Sequence, residues 1–541
     1  SPPTTTTNGS DPSIANTGCR ASGSNPTTQR PRSLASSRLR TRLVTWTRQV
    51  CSSAPAEIRE TAGVGGADRS RGTRTACNAA TASVNVGFVP VSVSNVAPNL
   101  ATDPQYARML PYVRSVFPAA AVQYWVKTGG PLAVIDAFFT ATSALCVTGL
   151  VVVDTGTAFT IFGKTVILAL IQIGGLGVMT FSVLFFLFLG RGFSVRGRWI
   201  ITEGFTPAPI RNIASLVASI FLFTVVVEGA GGMLLYFKWR GEMAAGQALF
   251  AGVFHSVSAF CNAGFSFFDT NLMRYRGSSL VNATVCCLIV LGGVGFPVIH
   301  EIAGRARARR QRRRVGLSLH TRSVLTMTSA LILAGAALVF ALEYRNELAG
   351  LPMSEKLLAS LFQSITARTA GFNTLDIGSL GVATLFVLVM LMFIGASPGS
   401  CGGGIKTTSL AVLVAILSSR IRGLARTSLF NRTIPNETVS RSLSVFILAV
   451  ITLTAGIVML LITQQPPPRE YFLTYVFEAV SAFGTVGLSM GITPALTSTG
   501  KLIIIVLMLL GRVGLLTVAY VVTSRRATAP FQYGEEKIMI G

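Results

Sequence analysis

Four short phrases, Val147-Thr148-Gly149-Leu150, Asn262-Ala263-Gly264-Phe265, Thr369-Ala370-Gly371-Phe372 and Thr485-Val486-Gly487-Leu488, recur along the chain with their glycines 115, 107 and 116 residues apart. Each follows a second phrase of the form Phe-x-small-x-Ser/Thr-Ala, at 139–144, 254–259, 362–367 and 477–482. Its alanine stands five residues before the glycine in the first, second and fourth copies, and four before it in the third. A period of more than about 100 residues is too long for a solenoid and suits a helical hairpin copied in tandem. Glycines and small residues also serve simply to pack membrane helices, but packing predicts neither the preceding phrase nor its fixed order. Any fold for this chain must therefore accommodate four equivalent turns.

Half of the 541 residues are hydrophobic, 12% are charged and the mean hydropathy is +0.58. Several runs exceed the roughly 18 apolar residues needed to cross a bilayer, which makes this an all-α polytopic membrane protein. The net charge of +25 does not call for nucleic acid. From residue 190 onward the arginines sit mainly in short loops between apolar spans, where the positive-inside rule accounts for them. The seven arginines of 305–314 read as a topology signal and a contact for anionic lipid. Eight cysteines without paired spacing argue against a disulfide framework or a zinc site, and His255, His300 and His320 are too dispersed for a metal cluster.

Residues 1–105 are rich in Ser, Thr, Pro, Ala and Arg, and read either as a disordered low-complexity segment or as a non-native extension. The remainder divides into units at 106–190, 191–304, 305–425 and 426–530, with a cytoplasmic tail at 531–541. Each unit is expected to comprise an outer helix, a short pore helix, a filter turn and an inner helix around one central pore. The second is predicted as 213–237, 249–260, the turn, and 280–299. The third runs 323–342, 356–367, the turn, and 382–420 with an interruption; the fourth runs 443–463, 471–483, the turn, and 502–523. The first has an inner helix at 166–189, but the window for its outer helix, about 99–124, holds Asp103, Pro104, Arg108, Pro111, Arg114 and Pro118. That density of prolines and charges makes the first outer helix atypical.

The residue types of the turns suit one chemistry. A K+ ion leaving water must exchange its hydration shell for other oxygens, and stacked backbone carbonyls supply them where the chain can turn its C=O groups toward an axis. Asp154, Asp269 and Asp376 each lie five residues after their glycine. They read equally as a vestibule that concentrates cations or as ordinary capping aspartates. The third inner helix is interrupted by Gly395-Ala396-Ser397-Pro398-Gly399-Ser400-Cys401-Gly402-Gly403-Gly404-Ile405-Lys406-Thr407, a composition through which no helix runs. Gly395, Ser397, Gly399, Gly402, Gly403, Gly404 and Lys406 are therefore candidate gate residues. Arg512, a charge within the last inner helix, joins them, placing the gate in the third and fourth units. Glu228 also falls inside a span, with its role open.

Two motifs in the interruption mislead. Gly395-Ala396-Ser397-Pro398-Gly399 matches the nucleophile elbow but follows no strand, and Gly404-Ile405-Lys406-Thr407 lacks the adjacent Gly-Lys of a phosphate loop. No enzyme is expected. A secondary cation symporter or antiporter with alternating access is the alternative, but that class favours inverted repeats and paired intramembrane acids, whereas these four units run in one direction.

Together the filter phrases, the broken third inner helix and Arg512 resemble the K+-translocating subunits of the Ktr/Trk/HKT superfamily, most closely the KtrB (TrkH-like) group, over about residues 131–530. The resemblance implies four hairpin units around one pore, a homodimer in the plasma (inner) membrane, and a cytoplasmic RCK-type regulatory subunit, KtrA- or TrkA-like. It implies K+ selection by residues 147–150, 262–265, 369–372 and 485–488, with Na+ as a further transported or regulatory ion. Gating would fall to residues 395–407 and Arg512. The chain itself carries no cofactor; nucleotide is expected on the partner subunit.

Overall fold

The computed structural model describes residues 132–177, 213–313, 316–464 and 471–514. The first outer-helix window, the segment 1–105, the end of the predicted helix 166–189, the tail 531–541 and the arginines at 191–211 and 525–526 lie outside the described residues.

The described chain is almost wholly helical. Helices α1 (Val134–Leu145) and α2 (Ile161–Leu176) form the first segment; α3 (Ile213–Trp239), α4 (Ala245–Phe260), α5 (Ser279–Val294) and α6 (Phe296–Arg310) form the second. Next come α7 (Leu319–Glu343), α8 (Met353–Thr366), α9 (Val382–Phe393) and α10 (Thr407–Ile421), then α11 (Asn436–Thr463), α12 (Phe472–Gly484) and α13 (Ser498–Val513). Among the described residues, three stretches are long and apolar enough to cross a membrane singly: Ala218–Trp239, Leu319–Glu343 and Asn436–Thr463. At 1.5 Å per residue the second spans roughly 37 Å, more than a hydrocarbon core of about 30 Å.

The long helices form an outer layer, and the short helices α1, α4, α8 and α12 are packed within. Each short helix buries the phenylalanine of its phrase completely, at Phe139, Phe254, Phe362 and Phe477. Helix α3 lies on α4 and α5, α7 on α8 and α9, and α11 on α12 and α13. One contact between segments repeats around the fold: α2 meets α4, α5 meets α8, α9 meets α12, and α13 returns to α1. The last of these joins is sealed by Lys501, whose Nζ lies 2.6 Å from Asp136 Oδ1.

One sequence expectation is corrected here. The span predicted over 280–299 is not continuous: α5 stops at Val294 and α6 departs at 97°. Gly295 makes the corner with φ +96°, and Gly177 and Gly514 end α2 and α13 in the same left-handed region, at φ +81° and +89°. These are the last glycines of Gly174-Gly175-Leu176-Gly177, Gly292-Gly293-Val294-Gly295 and Gly511-Arg512-Val513-Gly514. Hydropathy stays high through such a corner, so an apolar window reads it as unbroken helix.

Beyond the corner, Glu301 of α6 accepts from Ser318 N (2.6 Å), Ser318 Oγ (2.6 Å) and Thr321 Oγ1 at the start of α7. The loop after α3 is tied similarly. Glu242 accepts from Lys238 Nζ (2.7 Å) and Tyr275 Oη (2.8 Å), and the Lys238 hydrogen bond is the chief cause that holds its carboxyl below the usual range.

A ring of backbone turns over a stitched loop

Each short helix ends in a turn built the same way. Two residues before the glycine the backbone already enters the left-handed region, at Val147 (φ +50°), Asn262 (φ +59°), Thr369 (φ +71°) and Thr485 (φ +51°). For a β-branched residue this costs on the order of 1–3 kcal/mol, which the surroundings must offset. The glycines follow at φ +94°, +67°, +78° and +93°.

The offset comes from the helix phrase. Thr148 N donates to Ser143 O (2.8 Å), Ala263 N to Ser258 O (2.7 Å), Ala370 N to Thr366 O (3.0 Å) and Val486 N to Ser481 O (2.8 Å). The hydroxyls of the same Ser/Thr residues reach onward. Ser143 Oγ accepts from Gly149 N and Ser481 Oγ from Gly487 N, both at 3.1 Å. Ser258 Oγ donates to Phe265 O (2.8 Å) and Thr366 Oγ1 to Phe372 O (2.6 Å). The Ser/Thr of the phrase is thus the brace of the turn.

The four glycines meet. A Cβ added to Gly149 would stand 3.1 Å from Gly264 Cα; on Gly264, 2.9 Å from Gly371 Cα; on Gly371, 3.2 Å from Gly487 Cα; on Gly487, 3.0 Å from Gly149 Cα. In each case the nearest atom is a carbonyl oxygen one residue before the next glycine: Ala263, Ala370, Val486 and Thr148 in turn. Both the backbone angle and the space therefore require glycine. Within the ring Asn262 reaches the third turn: with its amide nitrogen facing Ala259 O (3.0 Å) and Ile289 O (3.1 Å), its oxygen accepts from Thr369 Oγ1 at 3.2 Å. Leu150, Phe265, Phe372 and Leu488, which close the phrases, are buried.

On one side of the ring opens a cavity of about 260 Å³, lined by the four glycines, Asp154, Asp269, Ser489 and Thr493. All three predicted vestibule aspartates accept from a nearby backbone amide, Asp154 and Asp376 as helix caps. Asp154 accepts from Thr157 N (2.7 Å) at the head of a one-turn helix, Asp269 from Thr270 N (2.8 Å), and Asp376 from Gly378 N (3.1 Å). Asp376 does not line the cavity.

The interruption between α9 and α10 lies against the other side. Gly403 N donates to Thr485 Oγ1 (3.0 Å), and a Cβ on Gly402 would collide with Thr369 Oγ1. The loop is closed on itself by Gly395 N to Ile405 O (2.8 Å) and Lys406 Nζ to Gly402 O (2.7 Å). It is also stitched outward: Ser397 N to Gly293 O and Cys401 N to Gly292 O (3.1 Å each), Gly399 O from Phe296 N (3.0 Å), and Gly404 N to Gly511 O (3.3 Å). Arg512 donates to Cys401 O through Nη1 and to Gly174 O through Nη2. These fastenings come from the first, second and fourth segments, a wider set than the third and fourth units to which sequence reasoning assigns the gate. Ser397 accepts from Thr407 Oγ1 (3.0 Å).

Three buried polar residues behind the ring escaped the sequence reading. His255 accepts from Phe267 N (3.3 Å) and lies 3.1 Å from Ser266 Oγ; Glu478 accepts from Ser489 Oγ (2.7 Å) and Thr493 Oγ1. They occupy the same place in their phrases, directly after the phenylalanine. Arg368, immediately before the third turn, is 7% exposed and reaches Thr328 O only at 3.5 Å. The rule that singled out Arg512, a charge at membrane depth, would have found it.

Fold and site define a helical membrane protein in which non-helical backbone is enclosed by protein at membrane depth, an arrangement tolerated where such backbone is buried or lines a water-filled path. The chain belongs to the TrkH family, described as cation transport protein, whose profile matches residues 94–527. The match takes in the window of the atypical first outer helix. The Ktr system potassium uptake protein B of Bacillus subtilis (strain 168) is 42% identical over 421 residues, covering 77% of this chain and 92% of that protein. Its counterpart of the same name in Vibrio alginolyticus is 38% identical over 412 residues, covering 76% and 89%. The crystal structure of the potassium transporter TrkH from Vibrio parahaemolyticus shares the fold, with a TM-score of 0.58 at 19% identity over 77% of this chain and 84% of that one. These relatives are transport proteins, in keeping with a chain that is not an enzyme.

Proposed function

We propose that this chain is the potassium-translocating membrane subunit of a Ktr/Trk-type uptake system in the plasma membrane, conducting K+ through the ring of four glycine turns. The observation that carries the reading is the cyclic approach of Gly149, Gly264, Gly371 and Gly487, each against the carbonyl before the next. Backbone oxygens held this way replace water around a dehydrated cation. Residues 147–150, 262–265, 369–372 and 485–488 form the filter. The loop Gly395–Thr407 lies across the path beneath it, and Arg512, holding Cys401 O, adds a positive charge that opposes cations while the loop is in place. Gly395, Ser397, Gly399, Gly402, Gly403, Gly404 and Lys406 belong to that gate. Asp154 and Asp269 line the entry, where their charge raises the local cation concentration even though each also accepts from a backbone amide; Asp376 contributes at longer range.

The printed names of the relatives, Ktr system potassium uptake protein B and potassium/sodium uptake protein NtpJ, support K+ as the transported ion with Na+ as a second. The words "Ktr system" fit a multi-subunit assembly, for which a homodimer with a cytoplasmic, nucleotide-binding RCK-type partner is the proposed form. The test is K+ and Na+ uptake in a strain lacking its own K+ transporters. The wild-type chain restores growth at low K+. Gly371→Ser, whose side chain would press on Val486 O and Gly487 Cα, lowers the K+/Na+ uptake ratio by roughly tenfold or more, the effect of about 1.4 kcal/mol on discrimination. An unchanged ratio in well-expressed Gly371→Ser protein would remove the filter assignment.

A further inference from the structure

Glu228 lies on α3 at membrane depth, 8% exposed. Among the described residues no cation stands within ion-pair distance of it. An acidic side chain inside a bilayer costs about 2.5–3.5 kcal/mol by insertion scales, so a leucine would serve packing better. Its oxygens are nonetheless used. Gln172 Nε2, on α2, donates to Glu228 Oε2 at 3.1 Å, and the Cys261 thiol, at the end of α4, donates to Oε1 at 3.8 Å. The same thiol lies 3.7 Å from Gln172 Oε1, closing a triangle of three side chains from three elements. Gly175, beside Gln172, has no Cβ where the Cys261 thiol packs. Glu228's own carbonyl accepts from Ser256 Oγ (2.6 Å), which fixes α3 to α4 at this level.

The triangle abuts the loop. Cys401 is buried in the same packed cluster as Cys261, while the Cys401 carbonyl accepts from Arg512. Arg512 also holds Gly174 O, two residues from Gln172 on α2. An acid and a base thus stand at the two ends of one short polar chain, with the loop residue between them.

We infer that Glu228 is a positioning residue for the intramembrane loop, acting through Gln172 and Cys261 to stiffen the wall against which Cys401 rests. The inference rests on the reading of that loop as a gate. For the loop to leave the path, Cys401 must part from Arg512 and from the Cys261 wall together. Loosening the wall raises the population of displaced loops in the resting protein and leaves the glycine ring as it was. A merely structural Glu228 would change the yield or melting of the protein and neither of those properties.

The test uses the full chain in vesicles of phosphatidylethanolamine and phosphatidylglycerol, with no added partner protein. Resting K+ flux per folded protein and reaction of Cys401 with a membrane-permeant maleimide, read by peptide mass spectrometry, are measured together. Glu228→Leu raises both roughly tenfold, the factor set by losing one strong hydrogen bond. Glu228→Gln, which keeps an oxygen and a nitrogen in place, stays nearer to wild type, and the K+/Na+ ratio is unchanged in each. Cys261→Ala removes only the link and gives a smaller rise in both, a thiol being a weak donor, so the test survives a Glu228→Leu chain that does not fold. Resting flux and Cys401 labelling at wild-type levels in Glu228→Leu or, should that chain not fold, in Cys261→Ala, with Arg512→Gln raising both, overturns the role of Glu228 while leaving the gate. Wild-type values in Arg512→Gln as well overturn the gate reading and the inference with it.

Discussion

Thr366 shows how much of the turn is decided by one side chain. Its carbonyl accepts from Ala370 N and its hydroxyl donates to Phe372 O, so it braces both ends of a loop that holds Thr369 and Gly371 at positive φ. Thr366→Val keeps the shape and deletes the donor, and is expected to destabilise the protein by about 1–2 kcal/mol. Thr366→Ser is expected to be nearly neutral; melting temperatures in detergent check both. The glycine and the Ser/Thr were legible as a repeated pattern, because each is the one residue type, or one of two, that can do its task. The left-handed residue two positions before the glycine was not. It is Val in the first copy, Asn in the second and Thr in the third and fourth, and only the backbone shows what all four have in common.

At the scale of the element, hydropathy located the apolar part of the long helices because lipid contact demands apolar side chains there, and it missed the polar first turns of Asn436–Thr463. It gave no warning of the corners. Gly295 turns the chain by 97° while the surrounding residues stay apolar, and the carbonyl of Pro398 occupies the place of its missing Cβ, 2.5 Å away. Gly295→Ala therefore strains the backbone and pushes against the loop at once. It should cost about 1–3 kcal/mol and weaken the Phe296 N to Gly399 O bond, visible as faster amide exchange at Phe296. A single charge is easier to find: Arg368 is diluted in any apolar window, but the rule that marks Arg512, a charge beside a turn at membrane depth, marks it too.

For the whole molecule, the order of packing matters more than any one helix. Each segment leans on the next, and the cycle is completed by α13 against α1 with Lys501 on Asp136. The pair is largely buried, with 10% and 18% of its side-chain surface exposed, so its coupling is that of a mostly buried bridge. A double-mutant cycle with Lys501→Met and Asp136→Asn is expected to give about 1–3 kcal/mol, each single change costing more than the double relative to its parent. A coupling near zero would mean that the seam is held by apolar packing alone. The sequence placed these residues in the first and last segments but carried no sign of their pairing, since a contact across the entire described fold leaves no local pattern.

That seam also sets a timetable. Its two residues are 365 positions apart, and a ribosome adding about 5–20 residues per second needs roughly 20–70 s to travel from one to the other. During that interval the four turns are made one after another, the fourth, Thr485–Leu488, only a few residues before Lys501. The ring needs its fourth glycine, and translation stopped anywhere before Gly487 yields a chain that cannot complete it.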